Sequence, residues 1–212
     1  MNTNDLVKNG YVDLGGFHPE ASTLEVARII AKEFNIKIDS DVESLIASPI
    51  GTKSKNTYGG NFGHGALPLH TDLAHWHVPP RFFLLRCVVA DPQVFTLLLH
   101  HREIVAALSG PVVDRALFRP RRRLDGKMYF LRLRAGGIFR WDQLFLTPEN
   151  IEAEHVRTVL TSEHHLFTPS RIALDVPSRT LLIDNWSILH ARTSIESTAS
   201  QRCIDRVYFS KD

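Results

Sequence analysis

The apolar positions of this chain fall into short runs, and most of those runs have the two-residue period of strands. The first, Tyr11-Val12-Asp13-Leu14, is closed by Gly15-Gly16. Ser22-Thr23-Leu24-Glu25 has the form of a capping box and predicts a helix to about residue 34, with Leu24, Ala27, Ile30 and Ala31 on its apolar face. Residues 42–47 read as a second short helix. Residues 49–69 are dense in glycine, proline, serine and asparagine. They predict a long irregular loop, of the kind a compact domain keeps for function. Residues 81–89 form a nearly continuous apolar strand of the buried type, which Pro92 stops. Residues 94–98 suit a strand or a helix start equally. Residues 101–108 read as a helix ended by Gly110-Pro111. The stretch 112–145 reads as β-rich, with a strand over 128–134 and a turn at Gly136-Gly137. Thr147-Pro148-Glu149-Asn150 predicts a helix start, capped at Thr147 with Pro148 first in the helix, running to about residue 162. The last third predicts strands over 171–176, 179–184, 190–195 and 203–210. Many short strands with a few helices imply a mainly β fold with flanking helices, a sandwich or jelly roll. With no repeat and no linker, residues 1–212 read as a single domain.

Composition changes this picture little. A length of 212 residues with 43% hydrophobic residues suits one folded domain and excludes a disordered chain. A net charge of +2 offers no argument for nucleic acid. No run approaches ~18 apolar residues, so no membrane span is expected. Met1-Asn2-Thr3-Asn4-Asp5 lacks the basic and apolar regions of a secretory signal. Cys87 and Cys203 form no C-x-x-C and no disulfide framework, which suits reduced thiols in a cytoplasmic protein. The eleven histidines point toward metal chemistry.

Three of the metal-binding residue types stand in two places. His70 and Asp72 are two apart, so in an extended segment both side chains face the same way. His190 follows a second apolar strand and the polar turn Asp184-Asn185-Trp186. Two imidazoles and one carboxylate are the ligand set of a non-haem Fe(II) oxygenase. An H-x-D alone is weak evidence, and the second stretch gives it weight. In the last strand Arg202, Ile204, Arg206 and Tyr208 share one face by alternation. Periodicity leaves open whether that face meets solvent or anions held by the arginines.

These residues carry a resemblance. Leu69-His70-Thr71-Asp72-Leu73 with Pro79-Pro80, Phe139-Arg140-Trp141-Asp142, Leu182-Ile183-Asp184-Asn185-Trp186 through Leu189-His190-Ala191-Arg192, and Arg202 with Arg206 resemble the Fe(II)/2-oxoglutarate dioxygenases of the taurine dioxygenase and clavaminate synthase type. The resemblance covers roughly residues 57–210. It implies a double-stranded β-helix with Fe(II) held by His70, Asp72 and His190, and with 2-oxoglutarate and O2 as cosubstrates. It implies that Arg202 takes the far carboxylate of 2-oxoglutarate, helped by Thr96, although Gln93-Val94-Phe95 replaces the usual Gly-Gly-Asp before that threonine. It also implies that Arg206 meets an anionic group of the substrate, with Asp142 a further substrate contact. The activity implied is hydroxylation, or another oxidation, of an unactivated C–H bond of a small anionic substrate, amino-acid-like, free or carrier-tethered, in a biosynthetic pathway. The presence of Asp72 argues against halogenation.

Outside the motifs, His64 in its glycine-rich loop is a candidate substrate contact. His75 and His77 read as flanking the mouth of the site, and His100-His101 and His164-His165 as helix-end residues. Arg119, Arg121, Arg122 and Arg123, before Leu124-Asp125-Gly126, read as a solvated turn or as a docking patch for an acidic partner. Two other readings stay open: a non-catalytic jelly-roll binding module, and a cupin-type metalloenzyme that does not use 2-oxoglutarate. The oligomeric state is not legible.

Overall fold

A computed structural model describes residues 3–123, 126–196 and 201–211. Met1, Asn2, Leu124 and Asp125, named above, lie outside the described residues. In chain order the elements begin with α1 (Thr3–Asn9), β1 (Tyr11–Gly16), α2 (Thr23–Phe34), β2 (Lys37–Ile38), β3 (Glu43–Ile46), α3 (Tyr58–Phe62) and β4 (Leu67–His70). Then come β5 (Phe82–Val89), β6 (Phe95–His100), α4 (His101–Leu108), α5 (Gly110–Arg115) and β7 (Leu117–Pro120). The small strands β8 (Leu131–Arg132), β9 (Arg134–Ala135), β10 (Ile138–Phe139) and β11 (Leu146–Pro148) precede α6 (Ile151–Ser162). The chain ends with β12 (Ser170–Ala173), β13 (Arg179–Asp184), β14 (Ile188–Arg192) and β15 (Cys203–Ser210).

Two sheets carry the architecture. The larger has the order β1-β13-β5-β15-β2, with β3 also on β15; the smaller is β12-β6-β14-β4. Alternation assigns each strand residue to a layer. Phe83, Leu85, Leu181, Ile183 and Ile204 of the large sheet share one buried cluster with Leu98 and Ile188 of the small sheet, so the two sheets face each other. The outer face of the large sheet, with Leu84, Leu182, Val207 and Phe209, packs under Val26, Ala27 and Ile30 of α2. Leu99 and Leu189, on the outer face of the small sheet, join Ile104, Val113, Val156 and Trp141 of the helical layer. Among the described residues, no helix is long and apolar enough to cross a membrane.

Several expectations are corrected. Residues 42–47 are not helical: Glu43–Ile46 pairs antiparallel with β15, and Ser44 Oγ donates to Asp205 at 2.7 Å. A free sheet edge outweighed a weak local preference. Thr147 does not cap a helix. Thr147 and Pro148 belong to β11, an edge strand that tolerates proline, and Asn150 is the cap, accepting from the Ala153 amide. The helix expected over 101–108 is α4, and Gly110-Pro111, which follows it, opens a further helix, α5, since proline fits a first helical turn. Of the expected face of α2, Ala27 and Ile30 are buried and Ala31 is partly buried, whereas Leu24 is 37% exposed and Thr23 and Val26 take part instead. The stretch 128–134 keeps only Leu131–Arg132 as its first strand. The loop at 49–69 contains α3 and the start of β4. Residues 95–100 are a strand, and the Ser22–Glu25 capping box is present.

His100 caps α4 through its Nδ1, which accepts the Arg102 amide at 3.2 Å. Burial, then His101 and Arg102, push this imidazole down from 6.5 to about 4. The unfolded chain therefore takes up the proton first. The stability His100 contributes is complete above pH ~6.5 and is lost as pH falls toward about 4. With the ring half exposed, the loss is on the order of 1 kcal/mol. Between pH 7 and pH 5 the wild type is expected to lose more stability than His100→Asn, whose cap does not titrate; parallel denaturation curves would sink the assignment.

Candidate metal centre

The site forms where β4 meets β14, with His190 directly opposite His70 in the antiparallel register. Each residue of His70-Thr71-Asp72 is fixed by a different partner. His70 Nδ1 lies 2.8 Å from the Pro68 carbonyl, an acceptor, so we assign the proton to Nδ1 and leave Nε2 as the free lone pair. Thr71 exchanges hydrogen bonds with Trp141: its amide donates to the Trp141 carbonyl at 2.8 Å and its Oγ accepts the Trp141 amide at 3.1 Å. The Asp72 amide donates to Asn185 Oδ1 at 2.7 Å, and Asn185 Nδ2 donates back to the Asp72 carbonyl at 2.9 Å. Leu73 then takes a left-handed φ of 54°, a costly conformation for a γ-branched residue that turns the chain away immediately after the carboxylate.

The result is a convergence of donors. Asp72 Oδ1 lies 3.6 Å from His70 Nε2 and 3.6 Å from His190 Nε2. All three residues are buried, and their ligand atoms lie within 4.8 Å of one another. Asp72 Oδ2 is already engaged, accepting from Arg206 Nη1 at 2.9 Å and from the Tyr208 hydroxyl at 2.9 Å. Only Oδ1 is left to face the imidazoles. Burial alone would raise the Asp72 carboxyl, but the Arg206 guanidinium beside it outweighs burial and holds the group well below the usual carboxylate range. Burial and the His70 ring push His190 down to about 3. The site therefore offers one carboxylate and, at His190, a neutral imidazole, the protonation states that bind a divalent ion, beside the Nε2 of His70. Among the described residues the buried His190 Nδ1 has no hydrogen-bond partner, and the ring packs against Phe83, with centroids 4.7 Å apart. The donor set fits a first-row metal such as Fe(II).

A cavity of about 340 Å³ opens onto these donors, within the range of small-molecule sites. Arg202, just before β15, and Ile204, Arg206 and Tyr208 of β15 all line it, which resolves the face that periodicity left open. The opposite face of β15 meets the α2 layer, where Asp205 accepts from Thr23 Oγ at 2.5 Å. Thr96 lines the cavity from β6, opposite Arg192 of β14. Asp142 also lines it, but its Oδ1 accepts from the Tyr58 hydroxyl at 2.9 Å and from the Leu144 and Phe145 amides at 2.7 and 3.0 Å. Burial raises the Asp142 carboxyl. Arg206 is held on both sides, by Asp72 and, through Nη2, by Glu43 at 2.7 Å. His64 is not among the lining residues; its carbonyl accepts the Ile195 amide at 2.8 Å. His75 lines the cavity, while the His77 ring meets Tyr129 outside it.

Sequence reasoning passed over Tyr58 and Glu43, and named Asn185 and Arg192 within a motif without a role for either. It quoted Phe139-Arg140-Trp141-Asp142 without a reason for the first three. The structure supplies one: Arg140 donates to the carbonyls of Ala74, Trp76 and His77, Trp141 holds Thr71, and Asp142 holds Tyr58. The segment braces the metal loop from behind.

No family model and no curated protein matches this chain. Solved structures do. It is similar to asparagine oxygenase in complex with Fe(II), 2S,3S-3-hydroxyasparagine and succinate, with 18% identity and a TM-score of 0.62, covering 79% of this chain and 56% of that one. It is similar to PvcB from Pseudomonas aeruginosa, with 17% identity and a TM-score of 0.66 over 97% of this chain and 77% of that one. PvcB is described as an Fe, alpha-ketoglutarate dependent oxygenase from an isonitrile synthetic pathway. It is also similar to the non-heme iron oxygenase OrfP in complex with Fe and alpha-ketoglutaric acid, with 17% identity and a TM-score of 0.58 over 81% of this chain and 57% of that one. The chain thus spans little more than half the length of asparagine oxygenase and of OrfP. At these identities the likeness is one of fold: the chain shares the fold of asparagine oxygenase, PvcB and OrfP.

Proposed function

We propose that this chain is a single-domain Fe(II)- and 2-oxoglutarate-dependent oxygenase, built as a double-stranded β-helix of the clavaminate synthase-like type, that oxidises a C–H bond of a small amino-acid-like substrate. The observation that carries the reading is the buried convergence of His70, Asp72 and His190 on one point beside a lined cavity. The two facing sheets support the β-helix, and the fold shared with iron oxygenases supports the chemistry. Asparagine oxygenase and OrfP are seen with hydroxyasparagine and hydroxy-L-Arg, and on that basis we extend an amino-acid-like substrate to this chain.

His70 Nε2, His190 Nε2 and Asp72 Oδ1 would hold Fe(II). With 2-oxoglutarate and O2 the bound iron supplies the oxidising power, and CO2 and succinate are the co-products. The protein's part is orientation and charge. Arg202 lines the cavity from just before β15, where its planar fork suits a carboxylate of 2-oxoglutarate, and Thr96 offers a hydroxyl from the facing sheet. Arg206 keeps the outer oxygen of Asp72 occupied. An anionic group of the substrate would reach its second nitrogen by displacing Glu43, whose side chain is 58% exposed. Asp142 acts through Tyr58 and the 144–145 turn.

Substrate-free turnover tests the reading. Protein loaded with Fe(II) and ascorbate should convert 2-oxoglutarate to succinate. Arg202→Ala should raise the 2-oxoglutarate requirement by roughly 10- to 100-fold, with Arg202→Lys between the two, since a point charge replaces a fork. An unchanged requirement in Arg202→Ala would move that role elsewhere. Metal binding without any affinity for 2-oxoglutarate would favour the cupin-type reading instead.

A further inference from the structure

Tyr58 sits in the glycine-rich segment ahead of β4, and its ring lies on the imidazole of His70. The centroids are 3.8 Å apart and the planes 17° from parallel. Phe62 stacks behind it at 5.7 Å, and Phe145 meets it edge-on at 6.1 Å. Its hydroxyl donates to Asp142 Oδ1, the oxygen that also takes the Leu144 and Phe145 amides. The ring therefore cannot slide without losing a buried hydrogen bond.

The segment is built to hold that pose. A Cβ on Gly60 would fall 2.0 Å from the Ser54 carbonyl oxygen, so only glycine lets 54 and 60 meet. Gly63 takes a φ of 51°, and a Cβ there would lie 2.9 Å from Ile50. Arg192, two residues after His190, donates from Nη2 to the carbonyls of Gly63 and Gly65 at 2.9 and 2.5 Å. The segment is thus strapped to the strand that carries one metal ligand, while its tyrosine covers another.

We propose that Tyr58 is a positioning residue of the metal centre. It fixes the plane of His70 by stacking, Asp142 fixes Tyr58 through its hydroxyl, and metal binding orders residues 58–63 with the site. Partners of a metal-bound imidazole typically change metal affinity by 10–100-fold, and here the ring face supplies that support alongside the Pro68 carbonyl. The inference rests on the metal-centre reading and is separable from it.

The test uses Co(II) as probe with the full chain. Tyr58→Phe keeps the stack and loses the hydroxyl; Tyr58→Leu loses both. Wild type and Tyr58→Phe should bind Co(II) within about threefold of each other and share one visible absorption band, and Tyr58→Leu should bind about 10- to 100-fold more weakly with a shifted band. Hydrogen exchange at the Asn61 and Gly63 amides, which close α3, should slow on adding Co(II) in wild type and Tyr58→Phe, and not in Tyr58→Leu. Tyr58→Met takes the place of the leucine variant if that variant does not fold. A non-aromatic variant that folds and keeps wild-type affinity, band and protection overturns the role of Tyr58 alone. Wild type that binds no Co(II) overturns the metal centre, and this proposal with it.

Discussion

His190→Ala is expected to abolish divalent-metal binding and, with it, all 2-oxoglutarate turnover. The side chain lies across the sheet from His70 and brings Nε2 within 3.6 Å of Asp72 Oδ1. Removing it leaves one imidazole and one carboxylate, a set that cannot enclose an ion buried between two sheets. Losing an outer partner of a metal ligand costs about 10–100-fold in affinity, and losing a ligand exceeds that range. Titration calorimetry with Co(II) should give a dissociation constant raised by more than ~100-fold, with succinate formation at background. An alanine variant that binds Co(II) within a few-fold of wild type would mean that the ion sits elsewhere.

The second large effect is expected at a residue that touches no metal. Asn185 is fully buried and makes three hydrogen bonds: it accepts the Asp72 amide at 2.7 Å and donates to the carbonyls of Asp72 and Pro80, each at 2.9 Å. Asn185→Leu keeps the branched shape of the side chain, with bulkier methyls in place of the amide atoms, and leaves all three groups unpaired. Each buried unpaired group costs ~1–3 kcal/mol, so the loss for the three is about 3–9 kcal/mol. That corresponds to a fall in Tm on the order of 10–30 °C for a chain of this size. Because the bond on each side of Asp72 loses its anchor, Co(II) affinity should fall by roughly 10- to 100-fold in variant protein that is still folded. Unchanged melting together with unchanged affinity would refute the role of Asn185.

Some of this site was open to reading from the chain. The i, i+2 spacing of His70 and Asp72 set both side chains on one side, and β13 and β15 run over the residues their apolar patterns predicted. The alternation in β15 sorted Arg202 and Arg206 from Asp205 and Phe209, but it did not say which set faced inward. That was decided by α2, whose apolar face covers Val207 and Phe209 and leaves the other set to the cavity. Glu43–Ile46 became a strand because β15 offered it an edge, and Thr147 lost its cap because Asn150 sits where the helix begins.

What the sequence by itself determined is local. Capping side chains, strand periods, the two-residue spacing of the metal motif and the glycine-rich approach to it all act over a few residues, where backbone geometry allows few choices. The tertiary structure alone decided which distant groups meet. Asp72 and Asn185 are 113 residues apart, Asp72 and Arg206 are 134 apart, and Tyr58 and Asp142 are 84 apart. No period or propensity encodes those pairs. They follow from two sheets closing on one core, which buries each polar group and leaves it stable only where a partner stands opposite.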